Sequence, residues 1–171
     1  RAEAYVMKMQ EDPSALDSAL ADMNMYASNL FSSGFTPMTE ESIKKWATET
    51  YPNYSELYVG KTSETSPQTL NPKKKLFAPP YNALEKGGTQ ESMLQALLFM
   101  RRYQFLHEGM RWFDTRRFGI TVYRYTLDED DETVLQITDQ ISDEDGTPDP
   151  RRALQLPSDV IAAGLTPNPR N

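Results

Sequence analysis

The sequence predicts a mainly α fold, in which a helical hairpin packs on a long central helix and a small β-hairpin follows near the C-terminus. Three observations carry this expectation. From Thr89 to Glu108, apolar residues fall on two opposed faces of a helical projection, so the helix must be covered on both sides. Residues 1–34 hold two amphipathic stripes separated by Asp12-Pro13. Beyond Gly119 the period changes to two, in segments rich in Val, Ile, Thr and Tyr.

In the first stripe Ala2, Tyr5, Val6 and Met9 share a face up to about Glu11. Asp12 is placed to cap a second helix with Pro13 at its first position. That helix carries Leu16, Ala19, Leu20, Met23, Ala27, Leu30 and Phe31 on one side, and Gly34 closes it. Two such helices form an antiparallel hairpin, the unit of helical repeat proteins, here present once.

Residues 35–88 read as a loop-rich insert. Thr39 caps a short helix containing Ile43, Trp46 and Ala47, which ends before Pro52. Pro67, Pro72, Pro79 and Pro80, with Gly60, Gly87 and Gly88, break up longer elements. Lys73-Lys74-Lys75 reads as a solvated turn.

Residues 89–119 hold the central helices. Thr89 is the expected N-cap, Gly109 the break and Gly119 the stop. An unbroken helix to Glu108 is about 30 Å long. Leu94, Leu97, Leu98, Arg101, Phe105 and Glu108 lie on one face, and Ala96, Phe99, Met100, Tyr103 and Leu106 cover much of the other. Burying Arg101 and Glu108 costs several kcal/mol, about as any unpaired buried charge does. Arg111 and Asp114 stand at i, i+3, where a local pair forms. The expectation is a structural network of Arg101, Glu108, Arg111, Trp112, Asp114 and Arg116 at the junction of two helices, against the alternative of an anion or active site.

Residues 120–171 read as a β-hairpin and an extended tail. The strands are expected at Ile120–Leu127 and Thr133–Thr138. The acidic runs at 128–132 and at Asp143-Glu144-Asp145-Gly146 lack the ligand layout of an EF-hand and read as solvated loops. A short helical turn capped by Ser158 and stopped by Gly164 precedes the final Pro-Asn-Pro.

Arg101-Arg102-Tyr103-Gln104-Phe105-Leu106-His107-Glu108-Gly109, followed by Arg111-Trp112-Phe113-Asp114-Thr115-Arg116-Arg117, resembles a signature of the SusD/RagB-type glycan-capture lipoproteins. That pattern reads roughly E-R-R-x-E-L-x-F-E-G-x-R-W-F-D-L-R-R. The chain departs from it at Met100, Gln104 and His107. Arg1-Ala2-Glu3-Ala4-Tyr5 is similar to a helix opening in the family's tetratricopeptide-like half. Leu154-Gln155-Leu156-Pro157-Ser158-Asp159-Val160-Ile161, ending in Asn168-Pro169-Arg170, is similar to its terminal L-P-I-P-x-x-E-I…N-P-G segment, with Gln155 for a proline and Arg170 for a glycine. The resemblance implies one domain over 1–171, the C-terminal portion of a longer protein. It implies a tetratricopeptide-like hairpin and a cell-surface outer-membrane location through a lipid anchor upstream of Arg1. The implied activity is non-enzymatic capture of an oligosaccharide or polysaccharide for import through a SusC-like TonB-dependent transporter.

The remaining residues bound that reading. A net charge of −7 argues against nucleic acid. With no cysteine there is no thiolate metal site or disulfide, and no metal or cofactor is expected. His107, the one histidine, has no zincin partner and reads as packed against the helix; nucleophile-elbow, Walker A and dinucleotide motifs are missing. A carboxylate-pair glycosidase needs only two acids, and no pair stands out. Sugar rings stack their C–H faces on aromatic rings, which makes Trp46, Tyr51, Tyr54 and Tyr58 the candidate ligand contacts, with Asn53, Gln68 and Asn71 for hydroxyls. The rival is a structural, protein-binding helical-repeat module without sugar.

Overall fold

The computed structural model describes residues 1–31, 33–50, 73–129 and 133–170. Among these, the fold is mixed: six α-helices and one two-stranded antiparallel sheet near the C-terminus. The described residues divide into two compact units. No helix is long and apolar enough to cross a membrane among the described residues.

The first unit takes the described residues up to Thr50, Lys73–Lys74 and Ala83–Arg111. Helix α1 spans Ala2–Lys8 and α2 spans Ala15–Leu30. Asp12 accepts from the backbone N–H of Ser14 at 3.1 Å and from its hydroxyl at 2.6 Å, so it shapes the entry turn while Ser14 takes the cap position. On α2 the buried residues are Ala15, Ala19, Met23 and Ala27, a narrow i, i+4 seam that lets α1 approach closely. Leu30 and Phe31 lie beyond that seam and are exposed.

Helix α3, Glu40–Lys45, opens with a capping box between Thr39 and Ser42 and continues as one π turn over Trp46–Thr50. It buries Ile43 and Ala47. Helix α4, Thr89–Gln104, is capped by Gly88, not Thr89, whose hydroxyl instead donates to Glu40 Oε1 at 2.5 Å. Both α1 and α3 pack on α4. Its first two turns are buried all round, from Glu91 through Ala96. The helix stops at Gln104, four residues short of the expected end. His107 and Gly109 both take left-handed backbone, at φ 66° and 72°, which a right-handed helix excludes.

The second unit takes the described residues Lys75–Asn82 and 112–170. Helix α5, Arg111–Phe118, crosses into it, followed by β1, Val122–Leu127, and β2, Val134–Ile141. The strands pair antiparallel with Val122 opposite Ile141 and two register shifts. Gly119 ends α5 at φ 66°, and the Ile120 N–H reaches back to the Thr115 carbonyl at 3.0 Å. That is the bond of a Schellman cap. A Cβ at Gly119 would lie 2.6 Å from the Ala78 nitrogen, whose N–H donates to the Phe118 carbonyl.

The acidic run after β2 is not a solvated loop throughout. Asp143 is 7% exposed and accepts from Arg152 Nε at 2.8 Å and from the Asp149 N–H at 2.9 Å. Arg152, equally buried, donates its remaining nitrogens to the carbonyls of Thr115 and Ile120, at 3.2 and 2.9 Å. A cation thus sits at the C-terminal end of α5, where the helix dipole favours it. Arg151 binds Asp149, Asp139 and the Gln140 carbonyl, fastening β2 to the 3-10 turn at Pro150–Arg152. Its guanidinium pulls the Asp149 carboxyl down to about 2. In the tail, α6 spans Ser158–Ala162 with Pro157, not Ser158, at the cap. The Gln155 side chain, which replaces a proline of the SusD-type pattern, brackets Asn168 through its N–H and its carbonyl.

Replacing Asp143 with Asn leaves Arg152 buried without its counter-charge, and a loss of about 3 kcal/mol in urea unfolding is expected. Gly119→Ala, which meets both the left-handed backbone and the Ala78 nitrogen, is expected to cost about 2 kcal/mol or more by the same measurement.

Candidate functional site

In the first unit, an apolar groove of about 390 Å³ lies between the end of α2, the segment after it, α3 and α4. Its origin is local. Asn24 on α2 accepts from the Met38 N–H at 2.7 Å and donates to the Met38 carbonyl at 2.9 Å. This two-way amide pairing ties the extended segment alongside α2, and Phe35 and Met38 form one wall. Opposite, Trp46 meets Phe99 edge-on, with centroids 5.2 Å apart and planes at 65°. One helical turn later Tyr103 lies 4.8 Å from Phe99. Tyr103 is 65% exposed, and Leu30 and Phe31 are also mostly exposed. The groove therefore opens as a stepped run of aromatic faces.

Polar groups are few in it. The lining hydroxyls are those of Tyr26, Ser42 and Tyr103, and no amide or carboxylate side chain is among them. Ser42 is already engaged in the α3 cap, accepting from the Thr39 N–H and donating to the Thr39 carbonyl.

Of the sugar-contact candidates, Trp46 stands in this groove. Tyr51, Tyr54 and Tyr58 lie outside the described residues, as do Asn53, Gln68 and Asn71. Phe99, Tyr103, Phe31 and Phe35 were not singled out as ligand contacts from sequence. The helical spacing of Phe31, Phe99 and Tyr103 reads as core, Phe35 falls at the start of the loop-rich stretch, and their exposure depends on how the segment after α2 runs.

The residues of the expected arginine network differ in exposure. Arg101 is half-buried, its guanidinium 5.5 Å over the Phe105 ring. Glu108 is exposed, because α4 has ended before it, and Arg116 is exposed on α5. Asp114 is buried and Trp112 half-buried, with its indole N–H enclosed and lacking a hydrogen-bond partner among the described residues. His107 is an exposed loop residue, not a packed one. In the second unit, Arg152 and Asp143 form a buried arginine–carboxylate pair.

Arg111 lies at a second, smaller recess. Lys73-Lys74-Lys75 is not a solvated turn: Lys73 is 2% exposed and donates to the Ala47 carbonyl at 3.0 Å, and its neighbours are half-buried. The strip is held to α4 by Gln95, which donates to the Lys74 carbonyl at 2.6 Å and to Glu91 Oε1 at 3.1 Å. Burial lowers the Lys73 ammonium, against the pull of Glu91. Burial also brings Lys74 down to about 8, and the like charges of Arg111 and Arg102 add to the effect. No group of three or more potential metal ligands is found among the described residues.

Comparison with known proteins finds no match: no family model, no curated protein and no solved structure aligns significantly with this chain.

The Lys74 shift has a signed consequence. Between about 8 and the ordinary 10.5, the folded chain binds fewer protons than the unfolded one, so stability rises with pH across that window. Below about 8 the full penalty of the buried charge is present. The difference in unfolding free energy between the wild type and Lys74→Met is expected to move in favour of the wild type on the order of 1 kcal/mol per pH unit between pH 8 and 10. A difference that stays flat with pH contradicts the assignment.

Proposed function

We propose that this chain is the C-terminal portion of a SusD/RagB-type surface lipoprotein that captures oligosaccharide and passes it to a SusC-like TonB-dependent transporter of the outer membrane. The observation that carries the reading is the aromatic groove in which Trp46 stands against Phe99, open at Tyr103. It is supported by the three sequence segments that resemble the family in order along the chain. The α1–α2 hairpin on α4 corresponds in this reading to one tetratricopeptide-like unit. The protein holds and transfers its ligand without chemistry, and the arginine-rich segment after α4 serves as scaffold.

Stacking is the interaction the groove offers. An aromatic face meets the C–H face of a pyranose ring, and the Tyr26 and Tyr103 hydroxyls meet its edge. The low polarity of the lining favours a second reading. A groove without amide or carboxylate side chains leaves many sugar hydroxyls unsatisfied, which is costly. It suits an apolar helix face or aromatic anchor of a partner protein equally well. That is the helical-repeat interaction module without sugar.

Affinity electrophoresis and a glycan array on the full-length protein separate the two. In the first reading Trp46→Ala lowers glycan affinity at least about tenfold, the worth of one stacking contact near 1.4 kcal/mol, with unchanged circular dichroism. Glycan binding that survives the substitution removes the groove from the capture role. Incubation of the protein with the glycan it retains is expected to yield no cleavage product, and a product would make it a hydrolase.

A further inference from the structure

A recess of about 340 Å³ opens in the second unit between the strip 77–79, α5 and the turn that follows β2. That volume is at the small end of the range for ligand pockets, about 300 to 1,000 Å³. Bonds within the unit fix its walls. On one side the Ala78 N–H donates to the Phe118 carbonyl at 3.2 Å. On the other the Gly146 N–H closes a turn onto the Asp143 carbonyl at 3.0 Å, and Pro148 and Pro150 stiffen the chain beyond it. Phe77, Pro79, Pro148 and Pro150 make the lining largely apolar.

Two polar groups of this recess are incompletely used. Asp143 is 7% exposed, and its Oδ1 takes the bonds from Arg152 and from the Asp149 N–H. Its Oδ2 accepts from none of the described residues and is not sealed off, so a donor reaches it through the recess. Arg116 is exposed on α5 and makes no hydrogen bond or ion pair among the described residues. The other charges of the lining are matched, Asp143 by Arg152 and Asp149 by Arg151. Arg116 is thus the charge left over among the described residues. It does not pair with Asp143, and the space between them is open to a ligand.

We propose that this recess binds a small hydroxycarboxylate with an apolar body, its carboxylate on Arg116 and its hydroxyl donating to Asp143 Oδ2. The guanidinium fork matches a carboxylate and gives it charge-assisted hydrogen bonds. A hydroxyl is the fitting donor because Arg152 already balances the Asp143 charge, and an ammonium would add a cation beside two arginines. The apolar body lies against Phe77 and the prolines, where burial of its C–H surface favours binding. The site uses none of the aromatic groove and does not rest on the glycan reading.

The test uses the full-length protein and three probes: 3-phenyllactate, 3-phenylpropionate, which lacks the hydroxyl, and 3-phenyllactamide, which lacks the charge. Binding is followed by NMR on the arginine Nε–H resonances, with chloride at matched ionic strength as the control. Phenyllactate is expected to shift the Arg116 resonance saturably and to bind at least about tenfold more tightly than either analogue. Arg116→Gln is expected to remove that advantage over the amide, with an unchanged melting curve because Arg116 has no partner to lose among the described residues. Where that variant fails to fold, the two analogues on the wild type decide. The role of Asp143 is read from phenylpropionate and not from a substitution, since Asp143 also holds Arg152. A lack of saturable response to phenyllactate, an equal response to chloride, equal affinity for either analogue, or unchanged affinity in folded Arg116→Gln overturns the site.

Discussion

A carboxylate buried one turn into α4 governs the larger unit. Glu91 is 1% exposed, and a charge in that position is tolerated only with partners on several sides. It finds them in the Gly87 N–H before the helix, in Gln95 one turn on, and in the field of Lys73. Gln95 in turn holds the Lys74 carbonyl, and Lys73 reaches the Ala47 carbonyl at the end of α3. One buried acid thus sets where the lysine strip runs beside α4, and where α3 sits relative to both. The neighbouring polar positions follow the same rule. Gln90 donates to the Val6 carbonyl of α1, and Thr89 to Glu40 of α3.

Two recesses on either side of Phe99 follow from that arrangement. On the α3 side, the seam of small residues on α2 ends, the chain is held off by Asn24, and aromatic rings remain open to solvent. On the side of the lysine strip, backbone bonding fixes Lys74 against α4, where Arg102 and Arg111 already project. The first recess is apolar and suits stacking. The second is small and cationic.

The second unit has its own buried charge. Arg152 joins the end of α5, the residue after its glycine cap and the turn following β2, through one carboxylate and two carbonyls. A lysine would not replace it, because its single point of charge lacks the fork that reaches three acceptors in different directions. The Gly119 cap and the close approach of Ala78 are local companions of this arrangement.

The sequence alone determined the features whose causes are local. The Thr39 cap, the Gly119 stop, the Asp12-Pro13 turn and the β-rich composition of the hairpin strands each act within a few residues. The structure carries those elements near their expected bounds. Trp46 drew attention in the sequence as an aromatic in a loop-rich stretch, and the structure stands it edge-on to Phe99. Tertiary structure decided what depends on distant partners. Lys73 is buried because Ala47 offers a carbonyl, and Asp143 because Arg152 arrives from beyond the hairpin. Both belong to charge-rich runs that, taken by themselves, belong in water. The open aromatic face of α4 is likewise invisible in its periodicity, because spacing tells which residues share a side and not whether another segment comes to cover it.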